Sequence, residues 1–158
     1  MLFVKSVGCL LLLALGALSG FWLSVFEKKR VRQANGFLTL IRNVRLQIDC
    51  FGTPVGQILS SLDALTREDL GAPQKAKDMQ ELLLLTPLLL PRECCTLLHE
   101  FATALGSGYR EEEIRYCEYY ESRLEAQARK LENELEKRIR LSFLLPLSLV
   151  AALILLLW

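Results

Sequence analysis

The chain has a single histidine, His99, and its five cysteines never stand at CxxC spacing. A zinc centre needs about four Cys, His or carboxylate ligands at short recurring spacings, so there is too little here to build one. Cys9, Cys50, Cys94, Cys95 and Cys117 are odd in number, which leaves at least one thiol outside any disulfide and suits a reducing compartment. Adjacent Cys94 and Cys95 read as small apolar residues of a packed helix rather than as a redox pair. The nine glycines are scattered among turns and one apolar run, and nowhere form G-x-x-x-x-G-K-[ST] or G-x-G-x-x-G, so no phosphate loop is present. No serine, cysteine or histidine lies in a nucleophile motif, and His99 on a helical stretch reads as structural. These absences exclude the common enzyme classes. No catalytic, cofactor-binding or metal residue is expected.

What the chain does have is apolar sequence at both ends. It is 52% hydrophobic, and neither VGCLLLLALGALSGFWLSVF (residues 7–26) nor LSFLLPLSLVAALILLLW (141–158) contains a charge. A helix crosses the hydrocarbon layer with roughly 17–25 such residues, so both runs read as membrane spans. The first also resembles a cleavable leader, with Lys5 ahead of a leucine-rich core and small Ala17, Ser19 and Gly20 near a cleavage point. Against that, apolar residues continue through Phe21, Trp22, Leu23, Val25 and Phe26. The second run has an alternative as a buried helix of a soluble domain, but a helix apolar on every face at a chain end has little protein to surround it.

Basic residues assign the sides. Lys28, Lys29, Arg30 and Arg32 follow the first run, against only Lys5 and the α-amino group before it; Lys137, Arg138 and Arg140 precede the second. Lysine and arginine beside a span are retained in the cytoplasm, so both runs imply one topology. The expected organisation is an N-terminal transmembrane helix (1–26), a cytoplasmic bundle (27–140) and a C-terminal transmembrane helix (141–158). The 28–32 run, placed beside a span, is explained by topology and anionic headgroups rather than by nucleic acid.

Between the runs the periodicity is helical, so the fold is expected to be all-α. Phe37, Ile41, Val44, Ile48 and Phe51 alternate spacings of four and three, with Leu40 widening the seam of a helix over 27–51. Gly52 suits its left-handed end, Thr53 a cap and Pro54 the first turn of a second helix reaching about Asp63, with Val55, Ile58, Leu59 and Leu62 inward. Residues 63–73 predict a short helical turn and a loop ending at Pro73. Helices over 74–85 and 91–105 follow, and LLLLTPLLL (82–90) reads as core, with an exposed partner-binding patch as the alternative.

After Gly106-Ser107-Gly108, residues 109–140 contain no glycine or proline, and their acidic start at Glu111, Glu112 and Glu113 with a basic finish complements the helix dipole. Ile114, Cys117, Leu124, Ala128, Leu131, Leu135 and Ile139 share one face. This predicts a helix of about 48 Å against about 37 Å for the first. Both leave and re-enter one membrane face, so they pair antiparallel.

Three stretches resemble the stage III sporulation protein AB family of endospore-forming bacteria. RQANGFLTLIRNVRLQIDCFGTPVGQIL (32–59) is similar to the family's helix, aromatic turn and short second helix, through Phe51, Gly52, Thr53 and Pro54; Cys50 replaces an aromatic and Val55 a leucine. LHEFATALGSGYREEEIRYCEYYESRLEAQARKLE (98–132) resembles the turn at Leu105-Gly106 with its long charged helix. The terminal basic segment and span form the third, although Ser142, Leu144, Pro146 and Ser148 replace a glycine-rich approach. The resemblance implies a non-catalytic membrane component of the mother-cell apparatus that connects to the forespore. By similarity to F-type platform proteins of type II secretion, it implies partners in a separate secretion-type ATPase and other sporulation channel proteins. Homo-oligomerisation stays open. Two other classes remain: an enzyme using Glu111–Glu113 for metal or phosphate, and a secreted or externally exposed helical structural protein.

Overall fold

Two helices carry most of the chain: α1 (Leu2–Phe51), and α6 (Arg110–Leu157), which continues through Pro146. Between them lie α2 (Val55–Ser60), α3 (Ala64–Leu70), α4 (Met79–Leu85) and α5 (Arg92–Ala104), with no strand among the described residues. The structure is a computed structural model that describes residues 2–72, 76–106 and 108–157; within its helices the side chains of 2–7, 9, 10, 12, 13, 154, 156 and 157 lie outside that description. Pro73, Gln74, Ser107, Trp158 and the side chains of Lys5 and Cys9, invoked above, therefore fall outside the described residues. Among the described residues no helix is long and apolar enough to cross a membrane. The chain divides into two compact units, Met1–Lys28 with Glu132–Trp158, and Lys29–Leu131.

In the Lys29–Leu131 unit, the α1 seam packs as its spacing dictates. Phe37, Leu40, Ile41, Val44 and Ile48 are buried, facing a core that includes Ile58, Leu59, Leu70, Met79, Leu82, Leu98 and Phe101. From α6 come Cys117, Leu124, Ala128 and Leu131. Each fully buried large side chain contributes about 1.5–3 kcal/mol over its exposed state. Ion pairs set the register. Arg42 reaches Glu121 at 2.8 Å and Glu125 at 3.1 Å, Arg45 reaches Glu121 at 3.3 Å and Glu118 at 3.5 Å, and Arg110 pairs with Asp49 at 3.7 Å. Numbers rise along α1 as they fall along α6, so the two helices run antiparallel here. The Glu121 hydrogen bond, followed by its charge and that of Glu125, raises the Arg42 pKa against a lowering by burial.

The short elements are held by their ends. The α1 helix stops at Gly52, whose φ of 61° is open to glycine without strain, and the Gly52 and Thr53 N–H groups donate back to Ile48 O and Gln47 O. At α3, Gly71 (φ 69°) and Ala72 donate to Glu68 O and Arg67 O, the paired bonds of a Schellman end. Helix α4 begins at Met79, later than expected, because Asp78 Oδ1 accepts the Glu81 N–H at 2.7 Å while Glu81 Oε2 accepts the Lys77 N–H at 2.6 Å. That is close to a capping box, and it fixes the start. Thr53 does not cap α2: Pro54 occupies the N-cap position in extended geometry with no side-chain cap bond, and α2 ends at Ser60.

One buried amide ties these pieces to α1. Gln33 is 3% exposed; its Nε2 donates to Leu70 O at 2.8 Å and Pro87 O at 3.0 Å, while its Oε1 accepts the Leu89 N–H at 2.8 Å. Beside it Gly36 lies so close to Asp69 that an added Cβ would meet the Asp69 Cβ at 3.2 Å. The 82–90 stretch splits as a result. Leu82, Leu83 and Leu90 are core, whereas Leu84 and Leu85 are 80% and 51% exposed. Phe51, in register with the seam, is 74% exposed.

Replacing Gln33 by leucine keeps the bulk but removes the partner of two carbonyls and an N–H, the Leu70 carbonyl in a buried bond and the other two part-buried. We expect Gln33→Leu to lower the unfolding free energy by about 3 kcal/mol, since each stranded group costs ~1–3 kcal/mol. Urea unfolding followed by helical circular dichroism checks this, and a loss below about 0.5 kcal/mol, the size of an ordinary surface substitution, would sink the clamp.

Candidate functional site

The two turns singled out in the sequence meet. At the end of the Lys29–Leu131 unit where α1 stops, a groove of about 470 Å³ is lined by Ile48, Gly52, Thr53, Pro54 and Val55 on one side and Gly106, Arg110 and Glu113 on the other. Gly106 takes φ 89° and half-buried Leu105 donates its N–H to Phe101 O at 3.0 Å, so the α5–α6 turn is fixed where it faces the first turn. The Arg110 guanidinium donates to Asp49 O across the gap. Flanking the groove, Phe51 and Tyr109 are 74% and 85% exposed.

Arg110, Tyr109 and Asp49 escaped the sequence argument. A signal existed, because an acidic residue in the last turn of a helix opposes the dipole and calls for a cation, which Arg110 supplies. Tyr116, Tyr119 and Tyr120 were also missed. Tyr120 sits edge-on to Phe101 at 5.6 Å and to Tyr119 at 5.1 Å, and Arg123 lies 5.2 Å over the Tyr119 ring. Three tyrosines within five positions of a charged helix were the signal.

The basic residues divide between the units. Within Lys29–Leu131, Lys29 is exposed, Arg30 is half-buried near Cys94 and Cys95, and Arg32 bonds Asp69 with Glu68 at 3.9 Å. In the other unit Lys28, Lys137 and Arg140 are exposed, and Arg138 binds Glu134 at 2.8 Å and Glu27 at 4.0 Å. Burial pushes the Cys94 and Cys117 thiols up to about 11 and raises Cys95, which keeps all three protonated and unreactive. No cluster of three His, Cys, Asp or Glu residues arranged to hold a metal occurs among the described residues.

The Met1–Lys28 and Glu132–Trp158 unit joins its two helix segments through small residues. Gly16 and Gly20 are buried, as is Ser24, one turn apart on a single face. A Cβ at Gly16 would meet Val150 Cγ2 at 3.1 Å, and one at Gly20 would meet Phe143 Cδ1 at 2.8 Å and Ser142 O at 3.1 Å. Pro146 explains the second contact: lacking an N–H, it leaves the Ser142 carbonyl without its helical partner, and that oxygen lies against the Gly20 backbone. The signal was GALSG, a small-xxx-small pattern within an apolar run. Away from this seam the surface is apolar: Leu15, Leu18, Trp22, Leu144, Leu149 and Leu155 are 60–81% exposed.

The chain belongs to the stage III sporulation protein AB family, whose model matches residues 5–158. No curated protein and no solved structure matches it.

A branched side chain at Gly20 has no room against Phe143 backbone and the freed carbonyl. Gly20→Val is expected to cost about 1–3 kcal/mol by overpacking, read as a lower melting temperature of the detergent-solubilised protein. Gly8, with nothing within 4 Å of its added Cβ, supplies the control: Gly8→Val should leave the melting temperature unchanged. Equal effects at both positions would refute the seam.

Proposed function

We propose that this chain is a non-catalytic membrane platform of the sporulation mother-cell-to-forespore channel, anchored by the runs 7–26 and 141–158, with the intervening bundle in the cytoplasm. Family membership supplies the sporulation role. The observation that carries the anchoring is the apolar surface of the Met1–Lys28 and Glu132–Trp158 unit. Trp22 at 79% and Leu155 at 81% exposure, with the leucines around them, form a surface that water does not tolerate. A bilayer covers it, and continuous helix is the backbone a bilayer accepts. The basic residues flanking both runs set the cytoplasmic side.

The groove between the two turns is the surface we assign to the partner ATPase. Phe51 and Tyr109 are large and exposed at the helix ends that bound the groove, and Arg110 lines it; aromatic and arginine anchors of this kind dominate protein interfaces. Energy transduction belongs to the ATPase, and this chain relays it through α1 and α6.

Protease protection tests the topology: the 27–140 segment should be cut only in inverted vesicles, with intact mass showing an uncleaved N-terminus. Digestion in right-side-out vesicles, or a mature chain starting near residue 20, refutes the platform reading. For the partner, Phe51→Ser combined with Tyr109→Ala should weaken binding of the sporulation ATPase about tenfold or more, the loss of roughly one hot-spot residue. Binding unchanged by both substitutions removes the tip as the docking surface.

A further inference from the structure

Within the Met1–Lys28 and Glu132–Trp158 unit, the two helix segments leave an open groove of about 750 Å³. Leu23, Leu141, Leu145 and Leu149 wall it and are 44–65% exposed. Ser142 and Ser148 also line it, but their hydroxyls donate into their own helix, to Arg138 O at 2.8 Å and Leu145 O at 2.9 Å, so the wall offers no side-chain donor along its length. Glu27 and Arg138 supply its charged end. An apolar wall with a charged end fits an amphiphile. From Arg138 to Ala152 the lining covers about 21 Å of α6 at 1.5 Å per residue. That is half of the ~40–45 Å through a bilayer with its headgroups, the depth of one lipid.

The charges select the headgroup. Arg138 directs Nε and Nη2 to Glu134 Oε2, at 3.2 and 2.8 Å, and Nη1 toward Glu27 Oε1 at 4.0 Å. A guanidinium has five donors and a carboxylate about four acceptor sites, so both lining groups can take a further partner from the groove. The other charges of this unit beside the two runs are Glu132 and Glu136 against Lys28, Lys137 and Arg140, which balances the signs once Glu27, Glu134 and Arg138 are included. Lys5 lies at the far end of the first run. This balance gives an anionic lipid no advantage, whereas a carboxylate beside a guanidinium complements a headgroup that carries both ammonium and phosphate. The Glu27 side chain is only 16% exposed, where a charge-assisted hydrogen bond is stronger than in open water. Ethanolamine brings N–H donors to that carboxylate. Choline has none, and a glycerol headgroup leaves Glu27 facing a phosphate.

We propose that this groove holds one phosphatidylethanolamine molecule, with an acyl chain along the leucine wall, its phosphate on Arg138 and its ammonium on Glu27. This rests on the membrane anchoring proposed above.

Native mass spectrometry counts the bound lipid. Full-length protein, delipidated in detergent, is offered equal amounts of phosphatidylethanolamine, phosphatidylcholine and phosphatidylglycerol with identical acyl chains. The wild-type chain should retain one phosphatidylethanolamine, about tenfold over either competitor, the difference one charge-assisted hydrogen bond makes. Glu27→Gln should bring phosphatidylethanolamine level with phosphatidylcholine, and Ala152→Phe, which fills the groove, should release all three. A photoreactive group at the acyl end of phosphatidylethanolamine should label the peptide holding Leu145 and Leu149 in the unaltered chain, a readout that stands even where a variant does not fold. Equal retention of the three lipids, a preference unchanged by Glu27→Gln, or label spread evenly over both apolar runs overturns the proposal. A lipid-free dimer as the retained species overturns it in favour of a second copy in the groove. Flotation with phospholipid vesicles separates the two readings: a chain that floats yet retains no phosphatidylethanolamine refutes the lipid site alone, whereas a chain left in the aqueous fraction refutes the membrane anchoring and the site with it.

Discussion

The bundle depends on one buried side-chain amide. Helices α2 to α5 are short, and isolated helices of this length are not stable in water. Their order comes from docking onto α1 and α6, and Gln33 is where the chain between α3 and α5 is fastened to α1. The Pro87 carbonyl and the Leu89 N–H that it satisfies belong to irregular backbone, and the Leu70 carbonyl ends α3, so none of the three has a helical partner beyond it. A hydrophobic residue there would pack but would leave them without this partner. The polar residue is therefore the less costly choice in an otherwise apolar interior.

The long helices meet a different requirement, that of register. An apolar seam alone tolerates sliding by a turn, because leucines and valines fit one another in several alignments. Arg42 and Arg45 on α1 reach Glu118, Glu121 and Glu125 on α6, and Arg110 reaches Asp49. Glu121 is only 12% exposed. A slide of one turn would leave its carboxylate half-buried without cations, a penalty that apolar contacts regained elsewhere do not offset. The charges select the alignment and the seam stabilises it.

Much of this was legible in the sequence. The seam of Phe37, Ile41, Val44 and Ile48, the left-handed stop at Gly52 and the unbroken helix after residue 109 all follow from spacing and backbone conformation, which are local. What failed was non-local or competed locally. Asp78 and Glu81 overrode the helical propensity that suggested a start at residue 74, and Pro54 took the cap position expected for Thr53. Gln33 gave no periodic signal, because its partners lie 37 to 56 positions away. The candidate site divides in the same way: both turns were visible as turns, but their meeting, and the Arg110 contact across the gap, depend on the antiparallel register of α1 and α6.

Phe51 shows why a correct period can mislead about burial. It continues the four-and-three spacing of the seam and is apolar, yet the helix ends beside it and no element crosses above to cover it. Periodicity identifies the face on which a side chain lies; burial also requires that the partner extend as far. Here α6 begins at Arg110, which pairs with Asp49, so Phe51 lies two residues beyond the point where its partner helix starts. Leu84 is the complementary case: its spacing takes it off the core face, yet it remains apolar. An apolar residue kept where the fold does not need it points outward to another surface. The two positions do so from different constraints, the end of a helix pair at Phe51 and a clamped turn at Leu84.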